Sequence, residues 1–282
     1  MDKLDHLFED TATVMGKSVD EKVEYLRKDF FLEYPKASEI VQKLDDLISY
    51  PQVSRMPCYL IIAEPNYGKT GLVNHFCKNH PPSDNLPGEH IKFPVLMIQA
   101  PVVPDEKRLY QTILRKLKCP FNNNTPPSML ETQVMEVLGR IQPKIFIIDE
   151  IQNLIAGTSV KQRVLMNVIK NMHNELKIPL VGVGTKKALI AIKVDDQLES
   201  RFTPLDLPKW KYGDDFLDFL ESFEHAMPLE KASNLCHKPT SKMIYDLSGG
   251  ILGRIAGIIR EATTYCLRNG LKNITQKILQ KI

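Results

Sequence analysis

The stretch from Tyr59 to Phe76 restricts the fold more than any other: Tyr59-Leu-Ile-Ile-Ala63, then Glu64-Pro65-Asn66-Tyr67-Gly68-Lys69-Thr70, then Gly71-Leu-Val-Asn-His-Phe76. An apolar, β-branched run is followed by a turn and an amphipathic segment, which reads as strand, phosphate-binding loop and helix. In such a loop the backbone N–H groups and the positive end of the helix surround phosphate oxygens. The lysine reaches the outer phosphates, and the hydroxyl of the next residue ligates Mg²⁺. Lys69 and Thr70 are therefore the first candidates. The usual spacing is GxxxxGK[ST], and Ala63 stands where its first glycine belongs. The chain leaving the strand is therefore expected to avoid φ > 0 there or to tolerate Ala.

A Gly-Lys-Thr tripeptide also arises by chance, so the assignment needs a second motif. Lys144-Ile-Phe-Ile-Ile-Asp149-Glu150 supplies it: an unalternating apolar run, as in a strand buried on both faces of a parallel sheet, ending in two carboxylates. At the carboxyl edge of such a sheet an Asp can hold the hydration shell of Mg²⁺, and a neighbouring Glu can polarise an attacking water. A strand stopping at solvent ends in acidic residues too. The two motifs occur in order with a further strand and helix between them, which points to a nucleoside triphosphate site.

Pro35 opens a helical pattern through Ser49, with Ile40, Val41, Leu44, Leu47 and Ile48 on one face and Pro51 beyond it. Pro81–Gly88 is a loop by composition, and Phe93–Ala100 a second buried strand. The helix predicted over Asp105–Lys118 carries Lys107, Arg108, Arg115, Lys116 and Lys118 opposite an apolar face. Its basic side is a candidate for phosphate-backbone contact or an ordinary solvated face. Helices are predicted over Ser128–Ile141 and Ser159–Leu176. A fourth strand, Ile178–Gly184, leads into Thr185, whose hydroxyl could meet a γ-phosphate or cap the helix Lys186–Ile192. Thr203–Leu207 is a short fifth strand, and Pro208 ends the α/β part. Beyond Lys209 the pattern is helical: Asp214–Phe223, Thr240–Leu247, Leu252–Leu267 and Thr275–Leu279. The expected division is an arm (1–34), a nucleotide-binding α/β domain (35–208) and a helical lid (209–282).

At 282 residues, 43% hydrophobic and 25% charged, the chain has material for one large core and a small one. No apolar run approaches the ~20 residues of a membrane span, and the first residues are acidic, so the expectation is a cytoplasmic protein with no membrane partner. Cys58, Cys77, Cys119, Cys236 and Cys266 are scattered without Cys-x-x-Cys spacing, which indicates neither a disulfide framework nor a zinc site. The net charge of +3 is unevenly spread: residues 1–34 hold nine acidic and five basic side chains, leaving +7 on the rest. An acidic arm suits protein contact, and a basic body suits phosphate.

With strand, phosphate loop, basic helix, Asp-Glu strand, Gly-Thr strand, Arg201-Phe202 and helical lid in that order, the chain resembles the AAA+ ATPases. Tyr34-Pro35-Lys36-Ala37, Pro51 to Arg55-Met56-Pro57 and Asn66–Thr70 resemble, within that class, the TniB family of TnsC-type transposition regulators. The resemblance extends from about Tyr34 to Leu267. It implies a five-stranded parallel sheet of order 5-1-4-3-2 with a small helical lid. It also implies an ATP-dependent homo-oligomer, a ring or helical filament around double-stranded DNA, that links a target-selection protein to the transposase. Carried over by motif, ATP lies along Glu64, Pro65, Asn66, Tyr67, Gly68, Lys69, Thr70 and Gly71. Thr70 and Asp149 serve Mg²⁺, Glu150 activates water, Thr185 is the first sensor and Arg254 the second. Arg201, in Glu199-Ser200-Arg201-Phe202, is the arginine finger offered to a neighbouring subunit, unless it and Arg254 merely pair on the surface. Lys107 and Arg108 lie along the DNA backbone. Two other readings share these residues: a nucleotide-binding scaffold with negligible turnover, and a helicase-loader-like ATPase.

Overall fold

The computed structural model describes residues 5–28, 30–83, 91–155, 159–193 and 199–282, so most of the loop expected over 81–88 lies outside the described residues. In chain order the elements begin with α1 (Glu9–Val14), α2 (Val19–Arg27), α3 (Pro35–Ile48), β1 (Cys58–Ile62) and α4 (Lys69–Asn79). There follow β2 (Val95–Gln99), α5 (Glu106–Lys116), α6 (Pro127–Ile141), β3 (Ile145–Asp149), a 3-10 turn (Ile151–Ile155) and α7 (Ser159–Leu176). The chain continues with β4 (Leu180–Gly184), α8 (Lys186–Lys193) and β5 (Phe202–Asp206), then α9 (Asp214–His225), α10 (Lys238–Ser248), α11 (Leu252–Arg268) and α12 (Gln276–Leu279). They divide into two compact units. One holds Glu39–Pro65 with Lys69–Leu207; the other joins the described residues up to Ser38 with Asn66–Gly68 and Pro208–Ile282.

The first unit is an α/β layer structure around one five-stranded parallel sheet, ordered β2-β3-β4-β1-β5. This is the expected order 5-1-4-3-2 counted from the other edge. Every residue of β3 and β4 is buried, which is why neither strand shows polar alternation. Leu60, Ile62, Leu96 and Ile148 meet the inward faces of α5, α6 and α7 in one apolar cluster, with Leu109, Ile113, Val134 and Ile169 contributed by the helices. Because β4 separates β3 from β1, the carboxyl ends of three neighbouring strands open side by side. These are the ends that carry the phosphate loop, Thr185 and Asp149-Glu150.

The second unit is helical. Phe216, Phe219, Leu220 and Phe223 of α9 pack with Ile244, Ile255 and Ile259 around the chain's single tryptophan, Trp210, which stacks at 4.8 Å on Phe219. The arm residues belong to this unit and are not set apart. A capping box of Ser18 and Glu21 starts α2, whose Leu26 is buried in the same cluster. Phe30 meets Phe223 edge-on at 5.4 Å, with the Arg260 guanidinium 4.8 Å above its ring. Phe8 N–H donates to the carbonyl of His225 at 2.9 Å. A negative balance over residues 1–34 therefore coexists with an apolar stripe that gives these helices a packing partner. Among the described residues no helix is long and apolar enough to cross a membrane.

Candidate nucleotide-binding site

In the α/β unit the loop leaves β1 at Ala63, which is buried, accepts no left-handed conformation and donates its N–H to the carbonyl of Gly184 at 3.1 Å. The alanine departure is thus absorbed as expected: the strand pairing simply continues one residue further. The positive φ angles come later, at Asn66 (67°) and Gly68 (90°). At Gly68 a side chain is excluded twice, because a Cβ there would also stand 2.5 Å from Leu252 Cδ2. α4 opens at Lys69, so the N–H groups of its first turn, which no helical carbonyl can take, lie at the loop.

Lys69 is only 7% exposed. Its ammonium reaches the Glu64 carbonyl at 3.5 Å, the limit of a hydrogen bond, and no carboxylate pairs with it among the described residues. A buried cation without an anion is unfavourable unless a ligand completes it. Next to it, Thr70 Oγ1 donates to Asp149 Oδ2 at 3.0 Å, across 79 residues of sequence. Asp149 is itself buried, and its other oxygen accepts the Glu150 N–H at 2.8 Å. A hydroxyl and a carboxylate at this separation form the oxygen pair that a small, hard cation takes together with phosphate oxygens.

Glu150 sits at φ 53°, a left-handed conformation that turns the chain sharply out of β3. Its carboxylate accepts a hydrogen bond from Gln152 Nε2, and Gln152 Oε1 accepts the Thr185 N–H at 3.2 Å. The Thr185 hydroxyl is buried and has no partner among the described residues, so it does not cap α8. An orphaned buried hydroxyl costs about 1–3 kcal/mol. Sequence reasoning did not single out Gln152, because nothing in the linear pattern pairs position 152 with 185.

In the helical unit Tyr34, Trp210 and Phe219 form an aromatic wall, with Tyr34 and Trp210 ring centroids 5.0 Å apart, and burial pushes the Tyr34 phenol up to about 12. Tyr34, Pro35, Lys209, Trp210 and Asp214 line a cavity of about 500 Å³. Gly253 N–H donates to the Asn66 carbonyl at 2.8 Å, and Arg254 follows it, exposed, in the first turn of α11.

A family described as bacterial TniB protein matches residues 22–212, more than half of the chain. The chain belongs to the TniB family. No curated protein matches it. Its fold is that of the AAA+ ATPases. The Aeropyrum pernix ORC2 protein, solved as ADPNP–ADP complexes, superposes with a TM-score of 0.65 at 17% identity, over 92% of this chain and 70% of that one. The A. pernix ORC1 protein in complex with DNA gives 0.62 at 14% identity over 92% and 68%. The Thermotoga maritima RuvB Holliday junction branch migration motor gives 0.54 at 14% over 91% and 72%.

Two groups of predicted residues in this TniB chain lie away from the phosphate loop. Arg201 immediately precedes β5, whose Phe202 is in register with Cys58, while Asp206 pairs with Ile62. It therefore stands at the amino edge of the sheet, roughly 15 Å along the strand from the loop. There its Nη1 donates to Asn174 Oδ1 at 2.8 Å, and the preceding Ser200 carbonyl accepts Arg55 Nη2 at 2.6 Å. The adjacent Cys58 and His173 carry no nucleophile: burial pushes the thiol up to about 11 and holds the imidazole below its usual range. Lys107 and Arg108 occupy the first turn of α5, where Asp105 caps the Arg108 N–H at 2.9 Å and the Arg108 side chain is exposed. That turn follows β2, two strands removed from β4 and three from β1.

Proposed function

We propose that the chain is a cytoplasmic, ATP-dependent, DNA-binding regulator of transposition, which oligomerises on target duplex and links a target-selection protein to the transposase. One observation carries the nucleotide part: a buried Lys69 ammonium lacking an anion, beside Thr70 and Asp149 already joined through their oxygens. A triphosphate is the ligand that satisfies all three. Thr70 and Asp149 would hold Mg²⁺, and Glu64, Pro65, Asn66, Tyr67, Gly68 and Gly71 line the phosphates. The cation supplies neutralisation of charge on the phosphoryl oxygens when bound.

Glu150 orients the attacking water, Thr185 senses the γ-phosphate, and Arg254 serves as a second sensor from α11. Arg201 lies a strand length from its own phosphate loop, and its charge is offered to a neighbouring copy. Turnover then depends on assembly, since the transition-state charge is fully compensated only when two chains meet. Family membership supports the transposition role, and the DNA complex of the A. pernix ORC1 protein supports a DNA partner for this fold.

Duplex binding through Lys107 and Arg108 uses phosphates and carries no base information. Replacing both with Glu should weaken duplex retention and reduce the slope of log affinity against log salt by about 2, one unit for each phosphate no longer neutralised. Filter retention across a salt series, with DNA-stimulated phosphate release measured in parallel, checks this. An unchanged slope would remove these residues from the DNA path, and phosphate release indifferent to duplex would contradict the function itself.

A further inference from the structure

Glu150 and Thr185 belong to different strand ends, and one side chain spans them. The Gln152 amide is engaged at both of its polar atoms, donating from Nε2 to Glu150 Oε2 and accepting at Oε1 from the Thr185 N–H at 3.2 Å. Two backbone features accommodate that bridge. The left-handed Glu150, at φ 53°, starts the 3-10 turn on which Gln152 lies, so residues 150 and 152 meet across it. Gly184 leaves the space that the amide oxygen fills: a Cβ at Gly184 would come within 2.5 Å of Gln152 Oε1.

The chemistry of the bridge is selective. It needs one donor and one acceptor, about three bonds from Cβ, in a fixed plane. Glutamine provides this, glutamate lacks the donor, and asparagine is a methylene too short. The bridge also partitions the Glu150 carboxylate, holding Oε2 while Oε1 carries no hydrogen bond among the described residues.

We propose that Gln152 is a positioning residue, which ties the water-activating carboxylate of Glu150 to the end of β4 so that base and γ-phosphate sensor are held as one unit. The proposal rests on the roles given above to Glu150 and Thr185. Contact of a phosphate with the unpartnered Thr185 hydroxyl is then transmitted through the Thr185 N–H and the Gln152 amide to the orientation of Glu150. Gln152 itself moves no proton.

The test compares Gln152→Ala and Gln152→Glu in the full chain by amide hydrogen exchange without nucleotide, and by DNA-stimulated ATP turnover. Gln152→Ala removes both arms: the Thr185 amide should exchange about tenfold faster while β4 stays protected, and kcat should fall about tenfold with KM for ATP within about twofold, the scale of one net hydrogen bond. Gln152→Glu keeps an acceptor for Thr185 but sets a carboxylate against Glu150. Its Thr185 amide should stay slow while kcat falls as far as in the alanine variant. A Thr185 amide unaffected by Gln152→Ala, full kcat in Gln152→Glu, or a KM that moves as much as kcat would each overturn the proposal. A wild-type chain without turnover would defeat the ATPase reading instead, and the exchange comparison would still decide whether the bridge exists.

Discussion

Lys69→Ala is expected to abolish ATP binding, with a loss of affinity of about a hundredfold or more, since charge-assisted contacts to phosphate are worth about 3 kcal/mol. Equilibrium titration with a fluorescent ATP analogue reads this directly, and unchanged affinity would remove Lys69 from the site. A companion substitution separates ligand binding from folding. Lys69 is buried without an anionic partner, so its charge weakens the nucleotide-free chain. Lys69→Met keeps the aliphatic stem and discards the charge; it should raise unfolding stability without nucleotide by about 1 kcal/mol while still failing to bind ATP. A methionine variant markedly less stable than wild type would show that the ammonium already has a structural partner.

Arg201→Ala is expected to leave ATP affinity intact in the isolated chain and to reduce DNA-stimulated hydrolysis about a thousandfold, the range for an arginine supplied to a phosphoryl transition state. The geometry sets the form of this effect. Arg201 precedes β5 at the amino edge of the sheet, and the loop follows β1 at the carboxyl edge. Within one copy it therefore cannot contribute to binding. Its hydrogen bond to Asn174 and the anchoring of Ser200 by Arg55 hold the guanidinium at that edge, partly exposed. Phosphate-release assays with and without duplex give the answer, and normal stimulated turnover would exclude the finger.

Much of this arrangement was legible in the chain because buried parallel strands announce themselves. Ile145–Asp149 and Leu180–Gly184 have no polar alternation since neither face meets water, and their carboxyl ends mark the site. The consequence of Ala63 was legible too, as a demand to avoid φ > 0 there or to tolerate Ala, and the structure meets it by extending the pairing to Gly184. Other features depend on contacts that sequence order hides. The acidic balance of residues 1–34 said nothing of what the arm packs on, because the aromatic and cationic groups near Phe30, at Phe223 and Arg260, lie about two hundred residues downstream. Gln152 was invisible for a related reason: its role needs the left-handed turn at Glu150 and the missing side chain at Gly184, neither of which is a property of glutamine.

The central claim is that a working site is assembled from two copies, Glu150 and Lys69 from one and Arg201 from the next. Mixing Glu150→Gln chains with Arg201→Ala chains on duplex DNA tests it most directly, because each variant alone lacks one half. The mixture is expected to hydrolyse ATP well above either variant alone, with a maximum near equal proportions. A mixture no more active than the sum of its two components would contradict the two-copy site.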